Sequence, residues 1–285
     1  MKRIAIVFAG LLFGTLLVGL PAQSASAATG TPKAVNGKKI TLRLRAAIKS
    51  LPVRHEVRSG YVRTKFRLWD DVNRDCQDTR AEVLIAESKV QARGGCTITS
   101  GRWYSYYDAQ SFTVASQLDI DHLVPLAEAW DSGARKWGAA KREAYANDLT
   151  DKRTLVAVSA SSNRSKGDRD PAEWMPAYGN CRYVRQWTAT KIRWGLSVNR
   201  AEKRKLRREA MDCKNRRLTT HKAVVKLVGG STTSGGGGTG GGGGLDPRFS
   251  TCTEAIAHGY GPYYAGSDPE YDWYEDRDHD GVVCE

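Results

Sequence analysis

The sequence DIDHLVPL at residues 119–126 decides the fold, because it joins an alternating run to a proline and carries acids and a histidine. Apolar residues alternate with Asp119 and Asp121 in this region, which predicts a strand over residues 116–124. One face of that strand is apolar and the other is acidic.

A second strand and a helix follow along the chain. Residues 154–158 form a short β-prone run, and Ser161-Ser162-Asn163-Arg164 is typical of a helix start. Between the two strands, residues 126–147 form a long helical segment that carries Trp130, Trp137 and Tyr145. The order strand, helix, strand, helix predicts an α+β domain with a small ββα core wrapped by further helices.

Two capping patterns predict helices outside this core. Thr79 with Glu82 has the form of a capping box, and the helix that it opens is expected to reach about Val90. Asn199 with Glu202 has the same form and precedes a segment crowded with lysine and arginine.

The polar residues of the core have the chemistry that phosphodiester hydrolysis requires. Asp121 offers a hard oxygen ligand, and His122 offers an imidazole that accepts a proton near neutral pH. Neighbouring strand residues point to opposite faces, so both serve one site only if the strand bends, and Pro125 fits such a bend. The carboxamide of Asn163 is a further oxygen donor. Such donors favour Mg²⁺ or Mn²⁺.

Charge is distributed unevenly over a chain whose formal net charge is +13. The acids concentrate after residue 245, so the central part is strongly cationic. Such a surface attracts polyanions, with nucleic acid first and anionic cell-surface polymer second. A basic surface that only aids solubility is the alternative.

Composition divides the chain into four parts. Residues 1–27 have two cations, an apolar run and an Ala-Ser-Ala cleavage site, as a secretory signal peptide has. An uncleaved membrane anchor is the alternative. A main domain over residues 28–228, with its core at about 60–215, precedes a glycine-rich linker at residues 229–244 and an acidic module at residues 245–285.

Six cysteines in an exported chain indicate three disulfides. The expected pairs are local, and each lies within one compositional block. They are Cys76 with Cys96, Cys181 with Cys213, and Cys252 with Cys284.

The chain resembles the HNH nuclease superfamily, and more closely the exported branch related to the C-terminal nuclease domain of GmrSD-type restriction enzymes. The resemblance covers roughly residues 60–215. It is carried by residues 119–126, 145–149, 155–158 and 163–168, and by residues 76–80, 95–96, 170–176 and 181–183.

This resemblance implies a ββα-metal site. His122 is expected to activate water, while Asp121 and Asn163 bind one divalent cation. The middle HNH residue is Asn147 or Thr154. Lys166 steadies a phosphate or forms a solvent salt bridge, and both alternatives stay open.

The acidic module ends in a loop with carboxylates at Asp276, Asp278 and Asp280 followed by a glycine, as calcium loops do. The backbone carbonyl of Val282 and the carboxylate of Glu285 complete the expected ligand set. The module resembles the excalibur domain, an extracellular calcium-binding module, which implies bound Ca²⁺ in an EF-hand-like site.

Two functions of different class follow. The first is a secreted endonuclease that hydrolyses DNA, with RNA left open, at low sequence specificity and without stable membrane association after signal cleavage. The alternative is a non-catalytic cell-envelope protein that binds anionic polymer and calcium.

Overall fold

The computed structural model describes residues 30–228, 248–257, 263–264, 269–275 and 282–284. The predicted signal peptide and glycine-rich linker lie outside these residues. Helices alternate with short antiparallel strands, so the architecture is the mixed α+β that the sequence predicts. Among the described residues, no helix is both long enough and apolar enough to cross a bilayer.

The centre of the domain is an antiparallel strand pair followed at once by a helix. Strand β4 spans Leu118–His122 and pairs with β5, Leu155–Ser159. Helix α5, Ala160–Lys166, begins directly after β5 and is capped by Ser159, whose hydroxyl accepts a hydrogen bond from the Ser162 N–H. The helix contacts both strands. Both predicted strands and the predicted helix start are confirmed.

Two helices fill the segment between these strands. Helix α3 spans Leu126–Asp131 and helix α4 spans Ala139–Ala146. They are separated by Gly133, whose φ of 131° is a conformation that other residues avoid, and by Gly138, which precedes α4. The long helical segment predicted over residues 126–147 is therefore divided into two helices, because glycines interrupt it.

Three helices pack behind the strand pair. They are α1, Leu44–Ser50, α6, Asn180–Trp194, and α7, Arg200–Asp212. The predicted capping box of α7 is confirmed, since the side chains of Asn199 and Glu202 each accept a hydrogen bond from the backbone N–H of the other. This reciprocal pair fixes the start of α7.

A long two-stranded ribbon covers α4 and α6. Strand β1, Thr31–Arg43, pairs antiparallel with β6, Arg217–Val228. The sequence analysis does not predict this ribbon, because its lysines and threonines hide the apolar alternation.

Helix α2 and a hairpin form the remaining part of the main domain. Helix α2 spans Thr79–Glu87, so it ends before Val90. Its N-cap is Asp78 and not Thr79, because the Asp78 carboxylate accepts a hydrogen bond from the Ala81 N–H at 2.9 Å. Strands β2, Ser100–Ser105, and β3, Gln110–Val114, form the hairpin.

Strand β5 separates two apolar clusters. Val156 and Val158 pack into the larger cluster with the helices, whereas Leu155 and Ala157 pack into a smaller one with α2. The apolar face of β4 joins the smaller cluster. Its two aspartates therefore lie on the side of the larger cluster.

A buried ion pair ties the start of β5 to α6. The Arg193 guanidinium donates to both oxygens of Asp148, at 2.6 and 3.0 Å, and both side chains are fully buried. The Trp194 indole and the Thr154 hydroxyl donate to the same carboxylate. Arg193 also donates to Asn36 on β1, so one cation joins three elements.

All three expected disulfides are present. Cys76 binds Cys96, Cys181 binds Cys213, and Cys252 binds Cys284. The first two lie in the main domain and the third lies in the acidic module.

The acidic module contains helix α8, Cys252–Ala257, and paired strands β7, Tyr263–Tyr264, and β8, Val282–Val283. Ala255, Tyr263 and Val283 form its small core. The expected calcium ligands Asp276, Asp278, Asp280 and Glu285 lie outside the described residues, and Val282 lies in β8. The calcium loop therefore stays a prediction.

Breaking the Arg193–Asp148 pair should destabilise the domain strongly. Arg193→Met leaves a buried carboxylate without its cation, which costs about 3–5 kcal/mol of unfolding free energy. Urea unfolding should show a smaller loss in the double variant Asp148→Leu/Arg193→Met. Lys205→Met, which removes a surface pair with Glu209, is the control and should cost under about 1 kcal/mol. Equal losses in Arg193→Met and the control would contradict this account.

Candidate active site

His122 is the last residue of β4, and a backbone carbonyl fixes its ring. The Nε2 atom lies 2.9 Å from the carbonyl oxygen of Ala146, at the end of α4. A carbonyl oxygen only accepts hydrogen bonds, so Nε2 carries the proton. The neutral ring therefore has its lone pair on Nδ1, and Nδ1 is the atom that can accept a proton.

Aromatic rings flank this imidazole. Trp69 stacks on it with ring centroids 5.8 Å apart, and Tyr145 stacks at 6.2 Å. His122 is only 5% exposed. Burial lowers the pKa of His122 to about 3, and the charges of Arg63 and Lys166 act in the same direction. The imidazole is thus neutral throughout the physiological range.

Asn147 holds in place two of the groups that contact His122, the Trp69 ring and the Ala146 carbonyl. Its side chain oxygen accepts a hydrogen bond from the Asp70 N–H, and its amide donates to the Arg67 carbonyl and the Asp70 carboxylate. These bonds hold the segment that carries Trp69 against the end of α4. Thr154, the other expected middle residue, instead donates to Asp148. The contacts favour Asn147 as the residue that positions His122.

A buried cation contacts both carboxylate oxygens of Asp121. The Lys166 ammonium lies 2.7 Å from each carboxylate oxygen and 3.0 Å from the His122 carbonyl oxygen. The Tyr107 hydroxyl donates to Asp121 at 2.5 Å. Burial raises the pKa of Asp121, and the Lys166 ammonium opposes that shift. Neither oxygen of Asp121 is left without a donor.

Asn163 contacts Asp119 on the same strand face. The Asn163 amide donates to Asp119 Oδ2 at 3.1 Å, and Arg164 lies 3.5 Å from the same oxygen. Both Asp119 and Asn163 are partly exposed. Among the described residues, nothing donates to the second Asp119 oxygen or to the Asn163 carboxamide oxygen. These two hard oxygen atoms are therefore available to a cation.

The contacts leave Asp121 and His122 on opposite faces of β4. Asp121 faces α5 and Tyr107, whereas His122 faces Trp69 and the end of α4. The bend expected at Pro125 does not bring both side chains to one face, because each has its own buried partner. The two faces meet only at the end of the strand, where Lys166 contacts both residues.

The sequence of this region matches that of known proteins. Residues 72–209 match the profile described as GmrSD restriction endonucleases, C-terminal domain. A protein of Arthroderma benhamiae named "Uncharacterized secreted protein" is 44% identical over 147 residues, which are 50% of this chain and 71% of that protein. The chain belongs to the GmrSD C-terminal domain family. It therefore carries a domain of the nuclease type.

The GmrSD match includes β4, β5 and α5, and it leaves out the ribbon of β1 and β6. Residues 249–285 match the profile of the Excalibur calcium-binding domain. No solved structure matches the chain.

The main domain also contains a carboxylate cluster that no motif in the sequence indicates, and one of its members, Glu56, lies outside the matched residues 72–209. Oxygen atoms of Glu56, Asp170 and Glu202 lie within 4.8 Å of one another. The Asn199 amide donates to Glu56 and Asp170. Burial raises the pKa of all three carboxyls, that of Glu202 to about 8. The cluster is consistent with shared protons, and no local sequence pattern could have revealed it.

The lowered pKa of His122 predicts a pH dependence of stability. Above about pH 6.5 the ring is neutral in both the folded and the unfolded chain. Below that pH only the unfolded chain gains the proton. The free energy of unfolding therefore decreases as the pH is lowered, by up to about 1.4 kcal/mol per pH unit, until about pH 3.

His122→Gln keeps a donor for the Ala146 carbonyl and removes the titration. Between pH 6.5 and 5, urea unfolding should show wild type losing about 2 kcal/mol more than this variant. Parallel stability curves for the two proteins would show that His122 titrates normally.

Proposed function

We propose that the chain is an exported, metal-dependent endonuclease of the HNH type. The pair of β4 and β5 with α5 would then be its ββα-metal core. The observation that carries the proposal is the fixed ring of His122, whose neutral Nδ1 lies at the end of a strand with two carboxylates and an adjacent asparagine. The family match supports the reaction class.

In this proposal His122 is the general base. Nδ1 takes a proton from water, while the Nε2–H stays bonded to the Ala146 carbonyl and stabilises the resulting imidazolium. A pKa of about 3 makes the free ring a weak base. The negative charge of an arriving phosphodiester favours the protonated ring and raises that pKa towards the working range.

The acidic face of β4 and Asn163 are proposed to hold the divalent cation. Their donors are oxygens, which fits Mg²⁺ or Mn²⁺. Asp119 and Asn163 offer open atoms, whereas Asp121 offers its oxygens only if Lys166 releases them. A cation bound there would neutralise charge on the phosphate and the leaving oxygen.

Lys166 is proposed to position the site and not to bind phosphate. Its ammonium is fully buried between Asp121 and the His122 carbonyl. It therefore fixes where β4 ends and, with it, the backbone of the general base. Asn147 is proposed to have a similar positioning role through Trp69 and Ala146.

Export and calcium binding complete the proposal. The leader sequence, the three disulfides and the secreted relative support export. Calcium is proposed to bind Asp276, Asp278, Asp280, the carbonyl of Val282 and Glu285. The substrate is DNA, with RNA as a second polymer to compare, and the basic surface favours contacts to phosphate over base reading.

Plasmid cleavage tests the catalytic proposal. Wild type should cut with Mg²⁺ or Mn²⁺ and stop in EDTA, and His122→Ala should lose at least 100-fold in rate because the base is gone. His55→Ala, at an exposed histidine, is the matched control and should keep its rate. Retained cleavage by His122→Ala would remove the mechanism, and no cleavage by wild type would favour the non-catalytic envelope protein.

Metal titration tests which carboxylate, that of Asp119 or that of Asp121, binds the divalent cation. Asp119→Asn and Asn163→Ala should each raise the Mg²⁺ concentration for half-maximal cleavage at least tenfold, roughly the loss typical of weakened metal sites. Asp121→Asn should instead lower the melting temperature, because Lys166 loses its counter-charge. If Asp121→Asn stays folded and is the variant that raises the Mg²⁺ requirement, Asp121 is the ligand.

Calorimetric titration of the full chain tests the calcium site. Wild type should bind one Ca²⁺ in the acidic module, and Asp276→Asn/Asp280→Asn should lose at least tenfold in affinity, because two of its carboxylate ligands are removed. Glu275→Gln, at a neighbouring acid outside the ligand set, is the control. Equal affinities in wild type and double variant would contradict the ligand assignment.

A further inference from the structure

A second charged feature lies beside the Cys181–Cys213 disulfide. It is an open groove with a volume of about 710 Å³. Five cations and one acid contribute to its walls, and we name it the disulfide groove. These residues are Arg153, Arg182, Arg185, Lys214, Arg216 and Asp212.

Two of the cations are held rigidly. Arg153 binds both oxygens of Asp151, at 2.7 and 2.5 Å, and donates to the Thr219 carbonyl. Arg185 donates to the Arg217 carbonyl at 2.9 Å. They form a fixed wall, and burial together with the neighbouring cations Arg153 and Arg216 lowers the pKa of Arg185.

The other three cations are exposed and available. Arg182 lies 4.0 Å from the centre of the Tyr106 ring, which orients its guanidinium. Lys214 and Arg216 follow the disulfide on an exposed segment. Within the described residues, no carboxylate forms an ion pair with any of the three. The positive charge of these three side chains is therefore available to bind an anion.

Like charges also lie opposite each other outside the groove. In the ribbon, Arg43 lies directly opposite Arg217 and Lys33 lies directly opposite Lys226. Like charges in opposed positions destabilise a strand pair. Arg217 directly follows the groove residue Arg216, so an anionic ligand in the groove would relieve part of the cost of the Arg43–Arg217 pair.

The groove lies near His122 along the chain path. Arg153 is two residues before Leu155, and Leu155 pairs with His122. Two residues of chain and one strand spacing put their Cα atoms within about 13 Å. Since nucleotides in a duplex strand rise about 3.4 Å each, this upper limit corresponds to at most about four nucleotides.

We propose that the disulfide groove binds the sugar–phosphate backbone of nucleic acid a few nucleotides from the bond that His122 cleaves. The proposal rests on the proposed nuclease function. Guanidinium groups match phosphate oxygens in pairs, so the groove should contact phosphates and read no bases. It would increase substrate affinity without taking part in the chemistry.

Binding of a fluorescein-labelled 20-base-pair DNA duplex in EDTA tests the groove. Lys214→Glu/Arg216→Glu in the full chain should weaken binding at least tenfold and reduce the salt slope by about 2. Arg204→Glu/Arg207→Glu makes the same charge change on the exposed side of α7 and should weaken binding less than threefold. Lys214→Gln/Arg216→Gln should give an intermediate loss if the Glu pair unfolds.

Hydrolysis of bis(4-nitrophenyl) phosphate separates the two proposals. This small diester needs the His122 site and is too short to reach the groove, so both charge-reversal pairs should keep its rate within twofold. No hydrolysis of this diester or of plasmid by wild type would count against the nuclease proposal alone.

Equal loss of DNA binding in both pairs, no loss in the groove pair, or no binding by wild type would overturn the groove assignment. Binding of a heparin fragment that depends on Lys214 and Arg216 while DNA binding does not would assign the groove to a sulfated polysaccharide instead.

Discussion

Lys166 is the last residue of α5, and its fully buried ammonium lies beside the end of β4. Both oxygens of Asp121 and the carbonyl of His122 surround it. An isolated buried charge costs several kcal/mol, so neither partner can leave the other without a penalty. The helix and the strand are therefore locked at this one point.

The two faces of β4 have different chemistry, because successive strand residues point to opposite sides. On the side of α5, one aspartate is neutralised by Lys166 and the other, Asp119, stays open beside Asn163. On the opposite side, aromatic rings flank His122, and burial lowers its pKa and keeps the ring neutral. Asp121, next to His122 on the strand, is occupied by Lys166 and Tyr107, and the open Asp119 lies three residues before His122.

Sequence predicts the parts of this arrangement that depend on local signals. Alternation predicts β4, the Asn199–Glu202 pattern predicts the start of α7, and closely spaced cysteines predict their own pairs. The sequence does not predict contacts between segments that are far apart along the chain. Lys166 and Asp121 are 45 residues apart, and Arg193 bonds Asn36 across 157 residues. No pattern within either segment specifies such a partner, because helix orientation and packing decide it. The division of the predicted helical segment into α3 and α4 has a local cause, because Gly133 and Gly138 lie between the two helices.

The pairing of β1 with β6 has a topological result. Thr31 lies opposite Val228, so the first and last described strands of the main domain end side by side. Chain that precedes Thr31 and chain that follows Val228 both depart from one corner of the body. Trimming either extension would leave the hydrogen bonds of the ribbon intact. The described main domain is in this sense a closed loop of chain whose two ends, Thr31 and Val228, are neighbours in space.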